Sequence, residues 1–349
     1  MTAAALTPST LEVVVRGRRR RTIRRRLVGA VLVLGIVAIA AVNIMMGHTS
    51  YGPGVVWRVI LGEDVPKASF TVGRLRLPRT ALAFLSGVCF GMGGATFQTM
   101  LRNPLASPDV IGISSGASAA AAFAIVVASW SGAAVSAAAI VAGLSIALAV
   151  YVLSFRDGVA GTRLILVGIG IAAMLNSIIA YILSTAGQWD LQLVLRWLTG
   201  SLNGTRWSEV VPVLISMAVL VPLLLGQARN LGLMRIGDDS AAALGVRVER
   251  TRVLAIVAAV GLVCFATAAS GPIAFVAFLS GPIAARLFGP GATLLVPAAG
   301  VGALLVLVAD FAGQYAFSLR YPVGVVTGLL GAPYLVYLIV RSNRAGGSM

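Results

Sequence analysis

The stretch RGRRRRTIRRRLVGAVLVLGIVAIAAVNIMM, residues 16–46, decides the fold class of this chain. Its first part, 16–26, carries eight Arg residues, and the remainder, 27–46, carries no charge. A helix of about 20 apolar residues crosses a bilayer, and basic residues beside such a span stay in the cytoplasm. We therefore predict a first membrane span whose N-terminal side faces the cytoplasm. A cleaved signal peptide is the alternative, but the apolar run is long and no A-x-A-like site follows it.

The rest of the chain is equally apolar. Of its 349 residues 58% are hydrophobic and 11% are charged, whereas soluble domains are roughly half apolar and about a quarter charged. Stretch 110–155 is long enough for two helices with a turn at 129–132, and stretch 253–285 splits at Gly271-Pro272, where Pro interrupts helical hydrogen bonding. We predict an all-α, multi-pass membrane protein with ten transmembrane helices and both termini in the cytoplasm. The further uncharged stretches are 81–100, 110–155, 164–189, 210–228, 253–285, 287–309 and 321–340.

The charged residues define the predicted organisation. An Arg-rich cytoplasmic tail, 1–26, precedes the ten-helix transmembrane domain, 27–341, and a short cytoplasmic tail, 342–349, follows it. Most basic residues then lie on the cytoplasmic side, as orientation requires. The outer loop 47–80 departs from this rule, and an acidic partner docking there would explain it. Its basic residues are Arg58, Lys67, Arg74, Arg76 and Arg79, against Glu63 and Asp64.

Several chemistries are excluded by residue type. The one Lys, Lys67, is followed by Ala68 rather than Ser or Thr, so the chain has no phosphate-binding P-loop. One His and two Cys leave no metal or catalytic site to predict. The net charge of +16 follows the membrane topology, so we predict no nucleic-acid partner. Gly91, Gly93 and Gly94 lie mid-span, where small residues allow close helix packing rather than nucleotide binding.

Carboxylates are almost absent from the predicted spans, where only Asp310 stands at the edge of one. An ion-coupled secondary transporter, the alternative from a different class, usually needs buried carboxylates or polar ion ligands. An intramembrane enzyme would need a paired catalytic group, for which His48 with Asp310 is a poor candidate. The composition therefore favours transport driven by an external energy source.

Four motifs carry a resemblance to a known family. They run RLPRT through RNPLASPDVIGISSGAS (76–118), LMRIGDDSAAALGV (233–246), SGPIAFVAFLSGPIAARLFGPG (270–291) and RYPVGVVTGLLGAPYLVYLIVR (320–341). Together they resemble the FecCD-type permeases of ABC importers for iron-siderophores, heme and cobalamin. The resemblance implies a permease subunit in the bacterial cytoplasmic (inner) membrane, contacting lipid. It also implies a second permease subunit, two ABC ATPase subunits that bind ATP and Mg, and an extracytoplasmic substrate-binding protein. No cofactor is expected on this chain.

The resemblance assigns docking of the binding protein to Arg76 and Arg79, whose planar guanidinium groups suit carboxylates. The alternative is that both Arg residues only anchor the helix at the lipid headgroups. Gln314 stands where some members of the family have a further docking Arg. Arg320 stands where an acidic residue is common, and we expect it to take over that charge.

The polar segment 231–247 is predicted to form two short helices broken at Gly237-Asp238-Asp239, with Asp capping the second helix. By resemblance this segment is the coupling segment that contacts the ATPase; a plain cytoplasmic turn is the alternative. Its assigned residues are Leu233, Arg235, Gly237, Asp238, Asp239, Ala243, Leu244 and Gly245.

The transport pathway is assigned by resemblance to the fifth helix, 164–185, and the tenth, 323–340. Its gate residues would be Asn103, Gly161 and Thr162, and its lining would include Val323 and Gly324. Small and apolar residues along such a path predict weak binding, which leaves selectivity to the external binding protein.

The substrate class also rests on the resemblance. FLSGPIAARL replaces the segment in which cobalamin and heme permeases commonly have Pro-His, and GQYAF before RYPVG looks like enterobactin-type permeases. We therefore expect a ferric-siderophore substrate and a heterodimer of two permease chains. A cobalamin or heme importer and a homodimer remain the alternatives.

Overall fold

The structure is a computed structural model that describes residues 8–155, 161–289 and 293–346. In these ranges the regular structure is helical, with one π-helical segment, Ser69–Arg76, and one 3₁₀ turn, Pro108–Ile111. The α-helices are α1 (Pro8–Met45), α2 (Pro53–Ile60), α3 (Leu77–Met100), α4 (Ile113–Val126), α5 (Ala133–Ser154), α6 (Gly161–Thr185), α7 (Gln188–Leu198), α8 (Trp207–Gly226), α9 (Ala228–Met234), α10 (Asp238–Ala243), α11 (Val248–Ser270), α12 (Val276–Phe288), α13 (Leu295–Tyr315) and α14 (Val323–Gly346).

Seven helical segments are long and apolar enough to cross a bilayer. They lie in α1, α3 with the preceding π-helical segment, α5, α6, α8, α11 and α13. Three shorter apolar segments, in α4, α12 and α14, accompany them. The chain is thus an all-helical membrane protein, and α2, α7, α9 and α10 are short helices between the apolar ones.

The helices break at the two positions that the sequence predicted. α4 ends before the turn at 129–132 and α5 begins directly after it. α11 ends at Ser270, and the Gly271-Pro272 pair separates it from α12. Gly271 has a φ of +71° and packs against the Trp197 carbonyl group, a backbone conformation and a contact that a side chain would oppose.

Two predicted boundaries differ from the structure. α1 begins at Pro8 and runs without interruption through the Arg-rich tail into the first span, because Arg is a good helix former and no breaker separates the two parts. The prediction that a span begins at Leu287 is wrong, because Leu287 and Phe288 are the last residues of α12. Gly289, with a φ of +74°, ends that helix, and α13 begins at Leu295.

α3 lies at the centre of the bundle and is buried along almost its whole length. It packs against α11, α12 and α13. The predicted role of its glycines in close packing is confirmed: a Cβ on Gly87 would lie 2.6 Å from Ala303 Cα, and a Cβ on Gly94 would overlap the Ala277 carbonyl oxygen. Backbone contact of this kind is what small residues permit in membrane helices.

The two ends of the bundle are distinguished by contacts with α1. At the first end, which we call the tail end, Arg25 donates to the Phe288 carbonyl oxygen at the close of α12. At the other end, the loop end, Tyr315 donates to the Met46 carbonyl oxygen just after α1. The loop end contains the connection 46–76 with its basic residues, and the tail end contains α9 and α10.

Candidate functional site

Arg76 lies at the loop end, where the π-helical segment meets α3. Its guanidinium group donates to the carbonyl oxygens of Ile44, Met45 and Thr49 at 2.7 to 3.0 Å and lies 5.4 Å from the ring centre of Tyr51. These acceptors are neutral, so the contacts fix the side chain without cancelling its charge. Arg76 therefore presents an oriented positive charge at the loop end.

Arg79, one turn further along α3, has a different environment. Its Nε and Nη2 atoms contact both carboxylate oxygens of Asp310 at 2.8 to 3.1 Å, and its Nη1 donates to the Asn203 side chain at 2.5 Å. Gln314 adds a hydrogen bond to the same carboxylate at 2.9 Å. The Asp310 side chain is only 2% exposed and that of Arg79 18%. The charge of Arg79 is therefore compensated inside the chain.

Arg320 is an exposed residue that follows α13. Its guanidinium group contacts the ring nitrogen of His48, which comes just after α1. Gln314 does not share this surface, because it is directed to Asp310. Arg76 and Arg320 thus both contact the segment 44–49 at the loop end, and Arg79 is turned toward α13.

The predicted coupling segment folds as two short helices at the tail end, α9 and α10, and its two faces differ. Leu231, Met234, Ala241 and Val246 are buried in the main hydrophobic core. Ile236 and Leu244 are instead 63% and 60% exposed. Exposed Arg235, Arg247 and Arg250 accompany this apolar pair. A short segment that is anchored on one side and exposes apolar side chains on the other has the form of a protein-binding surface.

Within this segment the predicted capping role of Asp is wrong. Gly237, with a φ of +118°, is the N-cap of α10, and no side-chain cap bond forms. The Asp238 carboxylate contacts two Arg residues from other elements instead, Arg102 at 3.2 Å and Arg252 at 2.7 Å. Gly245 ends the segment with a φ of +85°, while Leu233 packs partly inward and Asp239 and Ala243 are exposed.

The residues assigned to the pathway occupy separate places. Asn103, at the tail end, accepts a hydrogen bond from the Leu105 amide at 2.9 Å, and it borders a cavity of about 320 Å³ with Arg102 and Arg235. Val323 is buried in the core, and the Gly324 amide donates to the Gly200 carbonyl oxygen at 3.1 Å. Gly161 and Thr162 begin α6, but their side chains lie outside the described part of the chain.

A cavity of about 510 Å³, which no sequence pattern predicted, lies beside the break between α11 and α12. Phe275, whose φ of +63° is rare for a non-glycine residue, contributes its aromatic wall with Phe278. Ser107, Ser114 and Ser118 line the opposite, polar side, next to Asp109. The Asp109 carboxylate accepts hydrogen bonds from Ser107 and Ser114. A cavity lined by both hydroxyl groups and aromatic rings suits a solute with polar and apolar parts.

The described residues contain no cluster of three or more His, Cys, Asp or Glu that would hold a metal ion. Cys89 and Cys264 are both buried and unpaired.

Comparisons with known proteins agree over almost the whole chain. Residues 9–341 match the model of the FecCD transport family. The chain is 37% identical over 326 residues to the ferric enterobactin transport system permease protein FepG of Escherichia coli, covering 92% of this chain and 98% of that protein. It is 36% identical over 334 residues to the achromobactin transport system permease protein CbrC of Dickeya dadantii, covering 94% and 96%.

A solved structure has the same fold. It is described as an inward-facing conformation of a metal-chelate type ABC transporter, and it superposes with a TM-score of 0.80 at 24% identity. The match covers 90% of this chain and 99% of that one.

Proposed function

This chain belongs to the FecCD transport family, and we propose that it is the transmembrane permease of a bacterial ABC importer that carries a ferric siderophore across the inner membrane. The two relatives above are named as permeases for ferric enterobactin and for achromobactin. The chain provides the path, and ATP hydrolysis with its Mg belongs to partner ATPase subunits. The observation that carries the proposal is the coupling segment, whose exposed Ile236 and Leu244 give an ATPase an apolar surface beside the two ends of α10, while Ala241 and Val246 anchor the segment in the core.

In this proposal the seven long and three shorter apolar segments form ten crossings. The eight Arg residues before the first span keep the tail end in the cytoplasm, so the loop end faces outward. The coupling segment is then on the ATP-containing side, and the connection 46–76 is on the side from which substrate arrives. Both termini are cytoplasmic in this arrangement.

A second permease subunit is the partner that the exposed faces favour. α6 and α14 present large apolar side chains to the outside, including Met174, Tyr181, Leu329 and Leu330. Lipid covers part of this surface, and a second permease would close the open side of the 510 Å³ cavity, which Leu335 of α14 borders. We favour a heterodimer, with a homodimer as the alternative, and expect the pathway to run between the two chains past Val323 and Gly324, with Asn103, Gly161 and Thr162 near its cytoplasmic gate.

The loop end is the proposed docking surface for the substrate-binding protein. Among the described residues neither Arg76, which donates to backbone carbonyl groups, nor Arg320, which is exposed beside His48, is paired with a carboxylate, and we assign the direct contacts with acidic groups to them. Arg79 belongs to the same site, but its pairing with Asp310 gives it a supporting role in which it holds α3 against α13.

Reconstitution tests this proposal. The chain, a second permease and the ATPase subunits are placed in proteoliposomes with ATP on the tail-end side and a loaded binding protein on the other. Uptake of a ferric siderophore should require ATP and the binding protein, and it should continue after a protonophore is added. Uptake without the ATPase, or uptake that stops with the proton gradient, would instead support an ion-coupled secondary transporter. Preferential uptake of cobalamin or heme would favour the alternative substrate.

A further inference from the structure

Asp238 connects three parts of the tail end through its carboxylate. It is the first residue of α10, and its two oxygens contact different partners. Oδ1 lies 3.2 Å from Arg102 Nη2, and Oδ2 lies 2.7 Å from Arg252 Nη2. The coupling segment is therefore joined by charge to the connection after α3 and to α11.

Arg252 is the fixed side of this arrangement. The residue is 7% exposed and lies in the first turns of α11, which packs against α3, α5 and α8. Its other guanidinium nitrogen contacts Glu249 at 2.5 Å. A buried guanidinium group held by two carboxylates keeps its position, since losing either contact would leave a charge poorly compensated.

Arg102 is the movable side. It is exposed, it follows the last residues of α3, and its φ of +51° is a backbone conformation that few non-glycine residues adopt. The next two residues are Asn103 and Pro104, which line the cavity of about 320 Å³ with Arg102. A displacement of Arg102 would therefore change the course of the chain at Asn103.

We propose that Asp238 is a positioning residue that transmits movement of α10 to the connection 102–104, so that the ATPase drives the cytoplasmic gate through the Asp238–Arg102 ion pair. The inference rests on the proposed function, because it needs an ATPase seated on Ile236 and Leu244. Those side chains are exposed in the coupling segment, which also contacts Arg102 through Asp238. When α10 moves, Arg252 stays in place, and the ion pair with Asp238 moves the exposed Arg102 side chain together with α10.

Asp190 provides a matched control outside the coupling segment. It is also an acidic residue in the first turn of a short helix, α7. Among the described residues it takes part in none of the ion pairs, whereas Asp238 takes part in two. Replacing either Asp by Asn removes one charge from a helix end, but only Asp238→Asn removes the connection to Arg102.

The experiment measures substrate transported per ATP hydrolysed by the reconstituted transporter with its binding protein. We expect Asp238→Asn and Arg102→Gln to lower this ratio about fivefold or more while ATP hydrolysis continues, and Asp190→Asn to leave the ratio unchanged. The double variant Arg102→Gln with Asp238→Asn should be no worse than Asp238→Asn alone, because both changes remove one connection.

An unchanged ratio in Arg102→Gln would overturn the proposal, as would an equal loss in Asp190→Asn. If Asp238→Asn weakens assembly through Arg252, Arg102→Gln still decides the question, because its side chain is exposed and leaves the Asp238–Arg252 pair intact. Failure of the proposed function would look different, since the unmodified chain would then show no uptake dependent on ATP.

Discussion

Arg79 of α3 and Asp310 of α13 form a two-pronged ion pair, with Nε and Nη2 of the guanidinium group 2.8 to 3.1 Å from the carboxylate oxygens. The two residues are 231 positions apart in the chain. Asn203 and Gln314 complete the hydrogen bonding of the pair. The pair connects α3 and α13 at the loop end. We therefore expect it to contribute to the stability of the permease rather than to a direct contact with a partner protein.

We predict that Asp310→Ala destabilises the protein by about 3 to 5 kcal/mol, because it leaves the mostly buried Arg79 cation uncompensated. A large drop in the thermal unfolding midpoint of the detergent-solubilised protein would show this. The double variant Arg79→Met with Asp310→Leu should recover much of the loss, since apolar residues can replace a buried pair. A single variant as stable as the unmodified protein would contradict the structural role.

Docking of the binding protein is better tested at Arg320. We expect Arg320→Glu to weaken binding about tenfold or more at low salt and less at high salt, because a repulsive charge replaces an attractive one. Arg79→Glu is unsuitable for this purpose, as it would set two carboxylates against each other inside the bundle. Titration of the binding protein against permease in nanodiscs measures the effect.

The matched control for docking is Arg250→Glu. Arg250 is an exposed Arg near the start of α11, at the tail end. This variant should bind as well as the unmodified permease. Equal losses in both variants would indicate an effect of net charge rather than a docking contact.

Close packing of α3 gives a third prediction. Gly94→Ala places a Cβ into the backbone of Ala277 on α12 and should prevent stable folding. Gly170→Ala, on α6, places the same group where nothing lies within 4 Å and should be neutral or slightly stabilising, because Ala favours the helix. Yield of monodisperse protein and its thermal unfolding midpoint distinguish the two, and equal behaviour would contradict the backbone contact.

The fourth prediction concerns the ATPase surface. Leu244→Ser should weaken association with the ATPase about tenfold or more, because an apolar side chain that becomes buried on binding contributes about 1.5 to 3 kcal/mol. Leu244→Met retains the apolar area and should bind normally. Because Leu244 is exposed, neither change should lower the stability of the isolated permease. Retention of the ATPase on the immobilised permease provides the measurement, and full retention by Leu244→Ser would exclude this surface.

Much of the fold follows from the sequence because membrane helices must satisfy their own backbone hydrogen bonds, so long uncharged runs and Gly-Pro pairs determine where they begin and end. That logic located the break at Gly271-Pro272 and the short helices around Gly237. It could not reveal α7, whose 11 residues include Asp190 and Arg196 and lie between two longer helices. Nor could it show that α1 continues through the Arg residues.

Which charged residues pair with each other could not be predicted from the sequence, for a physical reason. Arg79 and Asp310 are 231 positions apart in the chain, and Asp238 is 136 positions from Arg102 and 14 from Arg252, so that only the packing of different elements brings these partners together. The sequence therefore predicted a cap at Asp238 from its neighbours alone, and it treated Arg79 as equivalent to Arg76. The spacing of residues along one helix shows on which face of that helix a residue lies. It does not identify the residue of another element that this face contacts.

The backbone contacts of α3 also determine which helices can move during transport. The glycines of α3 fit directly against the main chain of α12 and α13. At these contacts no layer of side chains lies between the backbones that could rearrange, so sliding of one helix along another would break each contact. α3, α12 and α13 should consequently travel as one rigid body through the transport cycle. Opening and closing then fall to outer helices such as α5 and α8, whose contacts with α11 at Gly143 and Gly261 involve the side chains of Cys264 and Leu220.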